Sequence, residues 1–424
     1  MTHFGVICPA ESGHLNTFIP IARELKQRKH RVTFISIIDA QVKVLAADLE
    51  MQVIGEDIFP LGKLEERFIE LGKLNGLAAL KYTIALLKDI ANVILRDAPQ
   101  VVEEVGIEAL LVDQTNREGG SVAELLGIPF ITICSAVVLN RDLEVPPFST
   151  PWQYDPTWKG RLRNKLGYKI LNSVTKPLGN NINEYRRAKN LPPHNSANDA
   201  YSTLAQITHQ PQKFEFPRQN LPPCFHFTGP YNSASRRETV AFPWSELNGK
   251  PLIYASMGTL QNRLTEVFEI IAFACAKLDA RLVITLGGAD IPDSLKTLPG
   301  NPLVVSYAPQ LELLPQTAVT ITHAGMNTTL ECLTHGVPMV AIPITNDQPG
   351  IAARIVWSGT GMMIPVKKLT TENLERAVRR VLTTDSYKKS ALGFQEHIKH
   401  SGGVTQAADI IERVIATGKP VLSV

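Results

Sequence analysis

Very little in this 424-residue chain marks a charged macromolecular partner: 43 Lys and Arg stand against 40 Asp and Glu, a formal net charge of +3. A balance that close leaves no electrostatic footprint for nucleic acid, so none is expected as a partner. Cysteine is scarce as well. Cys8, Cys134, Cys224, Cys275 and Cys332 are odd in number, scattered, and partly set in apolar runs such as FGVICPA and FITICSA. They read as reduced core residues, and without a CxxC pair they supply no zinc site. No apolar run reaches the roughly 18 to 20 uncharged residues that a membrane-spanning helix requires. No basic stretch, apolar signal core or cleavage site precedes the strand-like HFGVIC, so the expected location is cytoplasmic. What is there is an ordinary globular mixture, 44% hydrophobic and 20% charged. Single cores stop growing near roughly 250 to 300 residues, so two domains are expected.

Short β-rich runs alternate with helix-period segments from the start. FGVIC is followed by a helix over Phe18 to Lys29, then RVTFISII, and later ALLVD, a helix, and FITICSA. Such alternation predicts a parallel sheet wrapped by helices. The pattern restarts after the proline-rich PRQNLPPCFHFTGPYNSASRRET with LIYASMG, a helix, RLVITLG, LVVSYA, VTITHA, a helix and PMVAIP, placing the start of a second α/β domain near Pro243. The expected division is 1–235, 236–402 and a final helix and tail over 403–424. The one-sided apolar spacing of that helix means it packs against a domain, with the N-terminal one the candidate. Residues Pro146 to Pro193 mix aromatics, prolines and basic residues and read as a helical insertion on the acceptor side.

The most specific stretch is ITHAGMNTTLECLTHGVPMVAIPITNDQP, beginning at Ile321. A strand ending at His323, a glycine turn at Gly325 and a helix starting near Met326 make an anion site, because first-turn amides and the helix dipole favour a diphosphate. His323, Asn327 and Thr328 add side-chain donors. Glu331, one turn further on, is placed to hold ribose hydroxyls. YAPQ, from Tyr307 through Ala308 to Gln310, offers a ring for base stacking and an amide for base edges. Asp347 and Gln348 follow PMVAIP at the carboxyl end of a strand, where open α/β sheets bind ligands, and suit sugar hydroxyls. SMGT, comprising Ser256, Gly258 and Thr259 with Met257, closes LIYA with a small-residue turn that can wall the phosphate pocket.

A transferase working on such a donor must deprotonate an acceptor hydroxyl, which calls for a base titrating near neutral pH. His14, in the loop PAESGHLNTFIP after the first strand, is the candidate. Asp113, ending ALLVD, is its candidate partner, able to orient the ring and stabilise its protonated form. No DxD-like carboxylate pair is present to hold magnesium, so neither metal nor other cofactor is expected. A nicotinamide oxidoreductase would need GxGxxG after a strand, and the first turn reads CPAESGHLN. A non-catalytic nucleotide-sugar-binding protein would be expected to lack the base or its carboxylate.

YAPQ, HAGMNTTLE, GVP and DQ resemble the nucleotide-sugar signature of the family 1 UDP-glycosyltransferases, over nearly the whole second domain. The resemblance implies the GT-B fold, two facing Rossmann-like domains with parallel sheets and an interdomain cleft. It also assigns His14 and Asp113 to an inverting catalytic dyad, with a UDP-sugar as donor substrate. Tyr307 stands where many members carry Trp, keeping a smaller stacking surface. VDQTNREGGSVAELLGIPFITICSAVVLNRD, LPPCFHFTGP, ASMGTLQ, DQPGIAARIV and TGKPVLS are similar to the carotenoid-glucosylating branch of bacterial zeaxanthin glucosyltransferases. That implies UDP-glucose and a small lipophilic hydroxylated acceptor; phenolics and macrolides share the same donor residues. The apolar stretch from Leu71, LGKLNGLAALKYTIALLKDIANVIL, can line a greasy groove. A lipophilic acceptor suggests transient contact with a membrane surface, although no strongly basic amphipathic helix stands out to anchor it.

Overall fold

The alternation of apolar β runs and amphipathic helices resolves into two parallel sheets. The computed structural model of the chain describes residues 1–74, 76–231, 240–247, 249–258 and 265–423. The first half runs β1 (His3–Ile7), α1 (Ser12–Gln27), β2 (Arg31–Ser36), α2 (Gln41–Ala46), β3 (Glu50–Val53), α3 (Lys63–Lys73), α4 (Gly76–Val105), β4 (Ala109–Asp113), α5 (Gly119–Leu126), β5 (Phe130–Cys134), α6 (Trp158–Ala188), β6 (Gln206–Thr208) and β7 (Phe225–Phe227). The second runs β8 (Leu252–Ser256), α7 (Thr265–Cys275), β9 (Arg281–Thr285), β10 (Leu303–Val305), α8 (Gln310–Leu313), β11 (Thr317–Thr322), α9 (Met326–Thr334), β12 (Met339–Ala341), α10 (Gln348–Trp357), β13 (Gly361–Met363), α11 (Thr371–Thr383), α12 (Asp385–Lys399) and α13 (Gly403–Thr417).

Among the described residues the strands order as β3-β2-β1-β4-β5-β6-β7 and β10-β9-β8-β11-β12-β13. Every pairing is parallel. Helices cover both faces of each sheet, which is why β1, β4 and β8 are buried along their whole length and read as continuous apolar runs. Strand order reverses between β1 and β4 and again between β8 and β11. Each reversal opens a crevice at the carboxyl ends of the strands, so the fold creates two binding points before any side chain is considered.

Two differences from the sequence-based expectation bear on the site. Helix α1 begins at Ser12, not Phe18, because Glu11 stays extended while its carbonyl already accepts from the amides of His14 at 3.0 Å and Leu15 at 3.1 Å. Pro20 sits inside the helix, where its missing N–H leaves the rest of the ladder to continue on either side. His14 therefore lies in the first turn of a helix rather than in a free loop. The strands β3, β6, β7 and β13 also went unforeseen. Each spans only three or four residues, and β7 is the FHF buried inside the proline-rich stretch.

Away from the strand ends, the halves pack together through α13 and through α10. Ala407, Ala408, Ile410, Ile411 and Val414 of α13 join the core that α1 forms against the first sheet. Full burial contributes roughly 1.5–3 kcal/mol for each large aliphatic side chain. The chain end stays there: the amide of Val421 donates to the Leu204 carbonyl at 2.9 Å. Elsewhere α10 packs on residues 145–154 and 214–218 of the first half. Arg354 donates through Nε to the buried Glu215 Oε1 at 3.0 Å and lies 4.4 Å from the Phe216 ring centroid, while Arg218 Nε lies 3.4 Å from the same oxygen. Gly350 is required at this seam, since a Cβ there would stand 2.1 Å from the Phe148 carbonyl oxygen.

Candidate active site

At the first switch point, β1 delivers the start of α1, and β4 and β5 end on Asp113 and just before Ser135. His14 Nδ1 lies 2.8 Å from Asp113 Oδ2, so the ring donates there and leaves Nε2 for an acceptor. Asp113 is fully buried yet well served: Ser135 Oγ donates to Oδ2 at 2.5 Å, and Thr115 donates to Oδ1 through its amide at 2.8 Å and its hydroxyl at 2.6 Å. Ser135 Oγ is also 2.7 Å from His14 Nδ1, within reach of the same N–H. Burial alone would lower the His14 pKa, but the charge and hydrogen bond of Asp113, with Glu11 and Asp347, overcome it and raise the ring to about 9. Burial would raise Asp113; the His14 charge and the bonds from His14, Ser135 and Thr115 hold it below the usual carboxylate range. This is an imidazolium–carboxylate pair at rest, with a partly exposed ring in front of a saturated carboxylate.

At the second switch point, β8 ends on Ser256 and turns through Gly258, and β11 leads through His323 into Gly325 and α9. Gly325 is the N-cap, and no side chain among the described residues caps the helix. Its first-turn amides therefore face the crevice as donors. His323 is gripped between glycines: a Cβ at Gly258 would stand 2.7 Å from its ring, and one at Gly325 would stand 2.4 Å from its Nε2. Gly258 also has φ +75°, and Ala324, between His323 and Gly325, has φ +65°. Burial pushes the His323 pKa down to about 4, so this ring stays neutral.

The remaining residues singled out in the sequence fall into three groups. Tyr307 is 45% exposed, whereas the side chains of Ala308 and Met326 are buried in the second domain's core and can offer a ligand only their backbone. Gln310 is held from both ends: Tyr254 donates its hydroxyl to Oε1 at 3.0 Å, and Nε2 donates to Glu331 Oε2. It thus positions Glu331, one turn of α9 beyond Asn327 and Thr328. Gln348 turns its Oε1 back to the amides of Ile344 at 2.9 Å and Thr345 at 3.1 Å, leaving its NH2 group. Thr259 lies outside the described residues.

Two contacts bridge the crevices. Asn327 Nδ2 donates to the Gly13 carbonyl at 2.7 Å, and the Val137 amide donates to Asp347 Oδ2 at 3.2 Å. Asn327 thereby spends one N–H on α1, because the N-termini of α1 and α9 face each other. Asp347 feels His14 electrostatically, and His14 feels Asp347. The helix N-terminus, the carboxylate and the basic ring converge on one cleft. Among the described residues no group of three or more His, Cys, Asp or Glu side chains is placed to hold a metal ion. No helix among them is long and apolar enough to cross a membrane.

Ser135, Thr115, Tyr254 and the Gly13 carbonyl were not foreseen. Ser135 does follow FITIC at a carboxyl strand end beside the switch point, which is a usable signal. Tyr254 lies inside a strand and carries none.

Two facing parallel sheets with a cleft between their switch points define a GT-B glycosyltransferase. The solved glycotransferase of kitacinnamycin superposes with a TM-score of 0.75 at 22% identity, over 97% of this chain and 98% of that one. The profile described as UDP-glucoronosyl and UDP-glucosyl transferase matches residues 7–401, and the chain belongs to that family. Among curated relatives it is similar to a zeaxanthin glucosyltransferase of Pantoea ananas, 33% identical over 100% of this chain and 98% of that protein. It is also similar to a zeaxanthin glucosyltransferase of Pseudescherichia vulneris, 29% identical over 99% and 100%.

Proposed function

We propose that this protein transfers glucose from UDP-glucose to a hydroxyl of a hydroxylated carotenoid such as zeaxanthin, with inversion and without a metal ion. The observation that carries the chemistry is the His14–Asp113 pair at 2.8 Å facing the uncapped N-terminus of α9. The deprotonated His14 Nε2 takes the acceptor's hydroxyl proton as the oxygen bonds to the anomeric carbon. The bond from that carbon to the diphosphate breaks, and its electron pair leaves on UDP. Asp113 stabilises the imidazolium that forms, and the α9 amides stabilise the charge on the departing phosphate. One displacement on an α-linked donor gives a β-glycoside.

Glu331, fixed by Gln310, suits the ribose hydroxyls, and the partly exposed ring of Tyr307 suits the base. Asp347 and the free NH2 of Gln348 suit the sugar. Support for the acceptor comes from full-length similarity to two zeaxanthin glucosyltransferases. A different reading, transfer to phenolic, macrolide or other small natural products, draws on similarity to the 26% identical 4'-demethylrebeccamycin synthase of Lentzea aerocolonigenes.

The test is incubation with UDP-glucose and detergent-dispersed zeaxanthin, with and without EDTA, beside His14→Ala, with hexose addition read by mass spectrometry. EDTA-resistant product that disappears in His14→Ala is expected. A product with phenolic or macrolide acceptors and none with zeaxanthin would overturn the acceptor, and EDTA-sensitive product would overturn the metal-free step.

A further inference from the structure

Helix α6 is laid against the protein with its apolar residues outward. Its first half buries Gly160, Asn164 and Gly167, while Trp158, Leu162, Leu166 and Ile170 are 69%, 50%, 55% and 66% exposed. At four-residue spacing these four form one continuous stripe. The orientation is enforced by the two glycines. A Cβ at Gly160 would stand 2.2 Å from the Asp155 carbonyl oxygen, and one at Gly167 would stand 2.8 Å from the Trp152 ring. With the glycine face turned inward the stripe stays in solvent, beside a shallow cavity of about 420 Å³ that it shares with Trp152.

The charge carried by this stretch of the helix itself has one sign, although Asp155 and Glu144 lie beside its first turn. From Trp158 to Asn183 there is no acidic residue, against Lys159, Arg161, Arg163, Lys165, Lys169 and Lys176. Arg161 pairs with Glu144 at 2.9 Å, but Lys159, Lys165 and Lys169 make no ion pair among the described residues. In helical projection Lys169 and Lys159 lie within the apolar stripe, while Lys165 and Arg163 flank its two edges.

We propose that the first half of α6 docks on an anionic lipid bilayer. A helix with Trp and Leu on one face and cations along it lies in the headgroup plane, its rings at the boundary and its lysines on the lipid phosphates. A second copy of the chain fits poorly, since a two-fold interface would set the same cations against each other. A nucleic acid would use the cations and leave the stripe exposed. The expectation that no basic amphipathic helix anchors the protein thus changes once burial is known, because spacing alone does not say which face is turned inward.

The test is flotation of the full chain, without substrates, on vesicles of phosphatidylcholine alone or mixed with phosphatidylglycerol. Because no substrate is present, its outcome is separate from that of the transfer assay. Flotation with the anionic vesicles, weakened by added salt, is expected. Lys165→Glu with Lys169→Glu should lower partitioning by about fivefold or more per lysine. Leu162→Ser with Leu166→Ser should also lower it severalfold, with the circular dichroism spectrum unchanged in both variants, as their exposed positions allow. Absence of flotation on anionic vesicles, equal flotation of the lysine variant, or self-association through the stripe with no vesicle binding would each overturn the proposal.

Discussion

The two switch points share a topology and differ in electrostatics. Each presents a histidine at the carboxyl edge of a parallel sheet, in or beside the start of a helix. His14 stands before a buried carboxylate and is raised to about 9; His323 stands between two glycines, where burial outweighs a hydrogen bond to the Ser256 backbone, and falls to about 4. The same residue type in equivalent places is thus a ring held charged in one half, where it is the proposed proton acceptor, and a neutral ring in the other. What separates them is the neighbour: Asp113, held ionised by His14, Ser135 and Thr115, has no counterpart beside His323 among the described residues.

The largest effect should come from removing the charged histidine. His14→Ala should lower transfer by about 10² to 10⁴-fold with UDP affinity unchanged, checked by initial rates and calorimetry. Next, Asp113→Asn should cost about a hundredfold and turn the first histidine into one resembling the second. The sign follows from the ring being raised: the base must be deprotonated, so wild-type kcat/KM should climb with pH toward a midpoint near 9. The Asn variant's midpoint should fall to or below the ordinary histidine value of about 6.5. At the second switch point, Gly325→Ala places a Cβ 2.4 Å from His323 Nε2 and should raise KM for the donor by about tenfold, with a smaller change in kcat. Loss of kcat with KM unchanged would show that this crevice does more than bind. The smallest effect should be that of Ser135→Ala, about three- to tenfold in kcat, the scale of one hydrogen bond to a carboxylate that keeps three others.

The contrast was only half legible in the sequence. Strand ends and small-residue turns announce themselves, so His14, Asp113 and the Gly325 turn stood out, and the parallel alternation gave the sheet class. The neighbours that decide charge did not. Ser135, Thr115 and Tyr254 are ordinary residue types whose roles depend on which strands lie side by side, and that order is set by long-range packing. The early start of α1 was hidden because Ser12 and Gly13 read as loop, although Glu11 already accepts the first helical bonds. The contact of Asn327 with the Gly13 carbonyl was likewise hidden, because its partner comes across from the other half.

The most direct test is a pH titration of the histidine ring protons of the free protein by NMR, assigned with His14→Ala and His323→Gln. The two rings should titrate on opposite sides of the ordinary value, His14 near 9 and His323 near 4. Two midpoints together near about 6.5, or in reversed order, would contradict the claim that their neighbours divide the roles.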